Sequence, residues 1–170
     1  WGTSVCYPVS AMSCHVSACP NHQTGRTTPF STRGAVASLG ATGYELDISA
    51  ISEEEKEMIA KQVSAYKRIE DLVLCGDLYL RLNPFEGNYF CEMLVSKDRR
   101  RAYVVGQRFR RLPCDYDISL RLRGLDEEKV YRIEELNVSA SGKALMGAGL
   151  LLPGLNDYGS WIWHIEAEEK

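Results

Sequence analysis

The residues most able to do chemistry lie together in CHVSACPNHQTGR, Cys14 to Arg26. There Cys14, His15, Cys19 and His22 fall within nine residues. All four are legal zinc ligands. Their spacing, C-H-x3-C-x2-H, is neither the paired CxxC nor the HxxxH arrangement that sets up a tetrahedral site. A chain long enough to bury its own core also has no need of a structural metal in order to fold. No metal and no cofactor are therefore expected. A cysteine nucleophile needs a base beside it. Cys14 adjoins His15, but neighbours on a strand point to opposite faces.

Two other sets of residues invite the same question. Glu45 and Asp47 in GYELDI are two apart and would share a strand face, too close together to flank a glycosidic bond. They read as strand-end or helix-approach residues. Arginines cluster at 99–101, 108–111 and 121–123. In RFRRL and LRLRG they alternate with apolar residues, as on an exposed strand face that resists edge-to-edge pairing. The formal net charge of −3 supplies no field toward nucleic acid or an anionic membrane. No apolar run reaches the roughly 20 residues of a membrane span.

The elements that must hold these residues come next. The 170 residues suggest one domain or two small ones, and 45% apolar with 25% charged is an ordinary globular composition. The six cysteines, Cys6, Cys14, Cys19, Cys75, Cys91 and Cys114, have no tight framework spacing. Several sit among apolar neighbours, which favours reduced, buried thiols and a cytoplasmic setting. Gly2 to Tyr7 reads as a short strand ended by Tyr-Pro, and a long polar loop runs from Pro8 to Arg33. Such loops are usually functional or disordered. GAVASLGATGYELDI reads as a second strand with glycine bends.

Ser52 with Glu55 forms a capping box, and Glu53, Glu54 and Glu55 suit the positive end of a helix. Met58, Ile59, Val63, Tyr66, Ile69 and Val73 give that helix one apolar face, and Gly76 closes it. Beyond Gly76 come short alternating stretches with polar turns and no helix: DLYLRL, YFCEMLV, AYVVGQRF, DISLRLRGL, KVYRIEEL and SWIWHIEA. They predict a small antiparallel sheet or sandwich. The fold class is thus α/β followed by all-β, with residues 1–76 and 77–170 as the two parts. Residue chemistry alone leaves an incomplete α/β piece, a polar loop with two histidines, and a β-module.

The run YPVSAMSCHVSACPNHQTGRTTPFSTRGAVASLGATGYELDISAISEEEKEMI resembles glycoside hydrolase family 36, the microbial α-galactosidases. GDLYLRLNPFEGNYFCEMLVSKDRRRAYV and LPGLNDYGSWIWHIEA are similar to that family's closing β-domain, so the resemblance covers nearly the whole chain. It implies the last two βα units of a (β/α)8 barrel, with strand seven near Gly2–Tyr7 and strand eight near Tyr44–Asp47. A small antiparallel β-sandwich domain would follow.

The loop containing HVSACPNHQTGR would then sit at the C-terminal face of the barrel, where such enzymes keep their active sites. His15, Ser17, Asn21 and His22 become candidates for the substrate-pocket rim, or for bracing the loop. The family's Gly-Ala is Ser13-Cys14 here and its Val is Cys19, small positions that argue for packing rather than metal.

The resemblance also implies release of terminal α-linked galactose from melibiose- or raffinose-type oligosaccharides, with galactosides as partners. Family members often form homo-oligomers, and that expectation extends to the parent. The family's nucleophile lies in a Lys-Trp-Asp-type motif and its acid/base in a Ser-Asp-x-x-Asp-type motif, neither of which occurs in this chain. Retaining hydrolysis needs two carboxyl groups roughly 5–5.5 Å apart. No catalytic residue is therefore carried over. The chain, opening at Trp1, is expected to be the C-terminal part of something longer and inactive alone. The alternative is a structural or sugar-binding β-module.

Overall fold

The structure is a computed structural model that describes residues 1–113 and 117–169. Cys114, one of the cysteines read as reduced, lies outside the described residues. The five described cysteines are all free thiols, but only Cys91 is buried; Cys6, Cys19 and Cys75 are exposed, against the expectation from their apolar neighbours.

The chain opens with helix α1 (Gly2–Cys6), a 3-10 turn at Val9–Ala11, strand β1 (Ser13–Ser17), helix α2 (Phe30–Ala37) and strand β2 (Ala41–Glu45). β1 and β2 are parallel, with His15 opposite Gly43 and Ser17 opposite Glu45. This is a βαβ unit. Two expectations are corrected here. The stretch Gly2–Tyr7 is a helix, held by Tyr7 N–H donating to the Thr3 carbonyl. The strand expected there lies inside the supposed loop, at Ser13–Ser17. A short apolar run does not distinguish strand from helix by period. β1 hid because only Cys14 and Val16 face the helices, while Ser13, His15 and Ser17 make its other face polar. The second expected strand opens inside α2, whose last residues are Gly34–Ala37, and the strand itself begins only at Ala41. Gly34, read as a bend, sits inside α2, where a Cβ would lie 2.2 Å from the Gln62 side chain.

Helix α3 (Glu53–Lys67) starts at the expected capping box: Glu55 N–H donates to Ser52 Oγ, and Ser52 N–H donates to the Glu55 carboxylate. The apolar face continues past Arg68 into a separate helix, α4 (Glu70–Cys75). The break comes at Ile69, whose φ of −123° and ψ of 1° leave the helical region. Met58 and Ile59 pack with Val16, Phe30 and Tyr44.

The rest is β3 (Asp77–Leu82), β4 (Tyr89–Val95), β5 (Arg101–Arg108), β6 (Ser119–Leu120), β7 (Val130–Ile133), β8 (Val138–Ser141), α5 (Gly142–Gly147), β9 (Leu150–Leu151) and β10 (Ser160–Ala167). Six strands form one antiparallel sheet in the order β3-β4-β5-β10-β7-β8. β6 and β9 pair separately as a thin second layer. The helix α5 was not expected. Its cap, Ala144 N–H to Ser141 Oγ, follows directly on a strand. Only Ser119–Leu120 of DISLRLRGL is strand.

Both faces of the large sheet are buried. On one, Met93, Val104, Trp163 and Ile165 pack with Leu122, just past β6, and with Leu145 of α5. On the other, Phe90, Leu94, Tyr103 and Val105 pack against Val9, Ala35, Leu39, Ile69, Leu72 and Val73. A strand buried on two sides reads as a near-continuous apolar run, as YFCEMLV does apart from its buried Glu92. The α/β part and the sheet therefore share one core. Arg108, read as part of an exposed basic face, is in fact 5% exposed. Its guanidinium lies over the Tyr89 ring and donates to the Leu155 carbonyl.

Candidate functional site

The parallel pair β1–β2 has two unlike faces. Cys14 and Val16 point toward α2 and its neighbours, and Val16 is fully buried. Paired residues in parallel strands share a face, so Ser13, His15, Ser17, Gly43 and Glu45 lie together on the other. The His15 ring lies across Gly43, where a Cβ would come 2.9 Å from its Cδ2. That close approach is the reason for glycine at position 43. Ser13 Oγ is 3.1 Å from His15 Nε2, and His15 Nδ1 is 3.5 Å from Glu45 Oε2. The result is a hydroxyl–imidazole–carboxylate chain along a polar sheet face. These polar groups can hold a hydroxyl-rich ligand.

The loop after β1 is self-braced. Asn21 Oδ1 accepts from the Gln23 and Thr24 backbone N–H groups and from the Thr24 hydroxyl, at 3.0–3.1 Å. Asn21 N–H donates to the Arg26 carbonyl, and Gly25 N–H to the Asn21 carbonyl. Gly25, at φ +65°, supplies the left-handed residue that closes this turn. At the loop's base, the Arg33 guanidinium donates to the carbonyls of both Ser17 and Thr28.

A cleft of about 570 Å³ runs beside this loop. Its walls come from the end of β1, from Asn21, Thr24 and Arg26 of the loop, from Thr32, Arg33 and Val36 of α2, and from Gln107, Phe109 and Tyr158 of the β-domain. Thr32 ties the walls together, donating to the Tyr158 carbonyl at 2.7 Å. Tyr158 itself has a φ of 57°, a conformation that costs energy for a side chain of this size. Among the described residues no Asp or Glu lines the cleft.

Of the four rim candidates, the polar sheet face and the cleft bring together His15 and Ser17. Asn21 also lines the cleft, but its amide oxygen is used within the loop. His22 is exposed and stands outside the cleft lining. Cys14 packs on the opposite face from His15. Burial, reinforced by the Glu92 charge, pushes its thiol up, away from the nucleophilic thiolate. Among the described residues no group of three or more His, Cys, Asp or Glu side chains stands close enough to hold a metal ion. Asp47 lies beyond β2 and accepts from the Ser49 hydroxyl and N–H, which holds its carboxyl below the usual range.

Sequence reasoning missed Ser13, Glu45 as the partner of His15, Arg33, and the wall from the β-domain. The alternation Ser13-x-His15-x-Ser17 carried the signal for the first of these. Nothing in the sequence announced a wall from residues more than seventy positions away.

Two family models match the chain: Melibiase over residues 1–76, and the glycosyl hydrolase family 36 C-terminal domain over residues 89–165. The α-galactosidase AgaA of Geobacillus stearothermophilus is 46% identical over 100% of this chain and 23% of its own. The α-galactosidase Mel36A of Lactobacillus acidophilus is 39% identical over 98% of this chain, and again 23% of its own. A crystal structure of the Geobacillus enzyme in complex with raffinose superposes with a TM-score of 0.95 at 45% identity, covering 98% of this chain and 23% of that one. The chain thus spans about a quarter of the length of these relatives. With matches to two successive parts of one family accounting for most of its residues, the chain belongs to glycoside hydrolase family 36, as the end of the barrel followed by the C-terminal β-domain.

Proposed function

We propose that residues 1–170 form the C-terminal part of a retaining α-galactosidase that releases terminal α-linked galactose from raffinose-type oligosaccharides. The observation that carries this reading is the superposition of nearly the whole chain on a relative solved with raffinose. The polar face of Ser13, His15, Ser17 and Glu45 belongs to the inner wall of the barrel, and the braced loop to its rim. β1 and β2 pair only with each other among the described residues, and two strands do not make a self-sufficient sheet. Further barrel strands complete them.

The role of this part is to bind and shape. Among the described residues the cleft carries no carboxyl pair, so the nucleophile and the acid come from the rest of the barrel, and residues 1–170 alone are inactive. The test is a chimera in which these residues replace the matching segment of the Geobacillus enzyme. Hydrolysis of raffinose and of p-nitrophenyl α-galactoside by the chimera, with none by the isolated chain, is the expected result. A folded chimera inert toward both substrates, or an active isolated chain, would refute the reading.

A further inference from the structure

We infer that Arg33 is the positioning residue of the rim loop: a single guanidinium fixes both ends of residues 18–27 at the mouth of the cleft. The geometry stands on its own, and only its kinetic consequence rests on the proposed α-galactosidase activity.

The chain leaves β1 at Ser17 and re-enters the scaffold at Thr28, just before α2. Arg33, one turn into α2, donates through Nη1 to the Ser17 carbonyl and through Nε to the Thr28 carbonyl. Its plane lies over the Phe30 ring, 4.7 Å from the centroid. Its Nη2 faces Glu55 Oε1 at 3.8 Å, and the side chain is only 16% exposed. Glu55 is the same carboxylate that closes the capping box of α3. The two loop ends, α2 and the first turn of α3 thus meet at one side chain.

A lysine cannot replace it. Its ammonium keeps the charge opposite Glu55, but it has neither the planar fork that reaches two carbonyls nor the plane that stacks on Phe30. The loop tip, Asn21–Arg26, bonds to itself, so its link to the scaffold runs through this base. Without the fork, Asn21, Thr24 and Arg26 lose their fixed places in the cleft wall. A trisaccharide spans more of the cleft mouth than a small aryl galactoside does. Loss of the fork therefore weakens binding of a trisaccharide more than it slows turnover of a small aryl galactoside.

The test has two independent arms. In the chimeric enzyme, where the barrel is complete, trypsin cleavage after Arg26 is followed by mass spectrometry, with far-ultraviolet circular dichroism to confirm the fold. Arg33→Ala should be cut roughly tenfold faster than the native chain, and millimolar guanidinium should slow that cleavage. Arg33→Lys should be cut nearly as fast as Arg33→Ala, and Glu55→Gln, which keeps the capping box, only slightly faster than native. In the chimeric enzyme, Arg33→Lys should raise KM for raffinose several-fold and leave kcat for p-nitrophenyl α-galactoside within about twofold. Native-like protection in folded Arg33→Ala or Arg33→Lys would overturn the inference, as would an equal fall in kcat on both substrates. A native chimera inert toward both substrates would count against the proposed function, while proteolysis would still decide the role of Arg33.

Discussion

The bond between Ser38 and Tyr103 joins the α/β part to the β-sheet, and its loss can be sized from its surroundings. Ser38, at the end of α2, donates its only hydroxyl proton to the Ala35 carbonyl at 2.6 Å. The 2.8 Å contact between the Ser38 and Tyr103 oxygens therefore has tyrosine as donor. Both residues are buried, Tyr103 to 2% exposure. Tyr103→Phe removes the donor and leaves Ser38 bonded to Ala35, a loss of about 0.5–1.5 kcal/mol. Ser38→Ala strands a buried phenol, at about 1–3 kcal/mol. The double variant should fall short of the sum by about 1 kcal/mol.

Urea unfolding of the full chain, followed by tryptophan fluorescence, reads these values. At a slope of about 2 kcal/mol per molar urea, Ser38→Ala moves the midpoint by roughly 0.5–1.5 M. Additivity within about 0.3 kcal/mol would refute the direct bond. Separate transitions for Trp1, which packs edge-on against Phe90, and for the Trp161–Trp163 pair would refute the shared core. An alkaline signature accompanies the bond. Burial pushes the Tyr103 phenol up from 10.0 to about 12. A raised folded value means stability that is full below pH 10 and is lost as pH climbs toward 12. Tyr103→Phe should flatten that decline, while Tyr44, Tyr66 and Tyr131, also raised by burial, keep part of it.

Three further outcomes are expected. Ser4→Ala removes the hydroxyl that donates at 2.7 Å to the buried Glu92 carboxylate and should cost about 1–3 kcal/mol; Ser4→Thr should recover part of this in the same urea assay. Ser52→Ala removes the α3 cap, lowering stability by about 1 kcal/mol and the far-ultraviolet helical signal only slightly. The Arg68 hydrogen bond holds the exposed Glu134 carboxyl below its usual value, so its contribution is present at neutral pH and lost as pH falls below 4.5. Glu134→Gln should shallow the acid limb of a stability–pH curve by a small, salt-sensitive amount.

What the sequence made legible, and what it hid, follow one physical division. The start of α3 was readable because a capping box and a glutamate-rich first turn are local devices. β4, β5 and β10 were readable as strands because apolar runs and alternation are local too. β1 was not, since its polar face answers to what lies inside the barrel rather than to any core the chain builds itself. The break at Ile69 escaped because the apolar period runs on through it. For the site, His15 and Ser17 stood out by residue type. Asn21 also stood out, although its role in the loop lies in the turn it closes. Arg33 looked like any loop arginine, because its importance comes from two carbonyls eleven residues apart that only the folded chain brings together. Tyr158 and Phe109 belong to the cleft through tertiary packing alone.

The order of strands in the large sheet also governs how the molecule can come into being. β3, β4 and β5 follow one another and can pair as soon as they are made, and the β7–β8 hairpin can close by itself. β10, the last of these strands in the chain, lies between the two groups and joins β5 to β7. During synthesis, then, two partial sheets wait with open edges until Ser160–Ala167 emerges, and the same strand brings Ser160 to Thr32 beside the cleft. Assembly of the sheet and closure of the cleft wall become a single late event, of the non-local kind that folds slowly and risks aggregation while it waits. Ribosomal pausing or a chaperone acting on this window would therefore govern the yield of both at once.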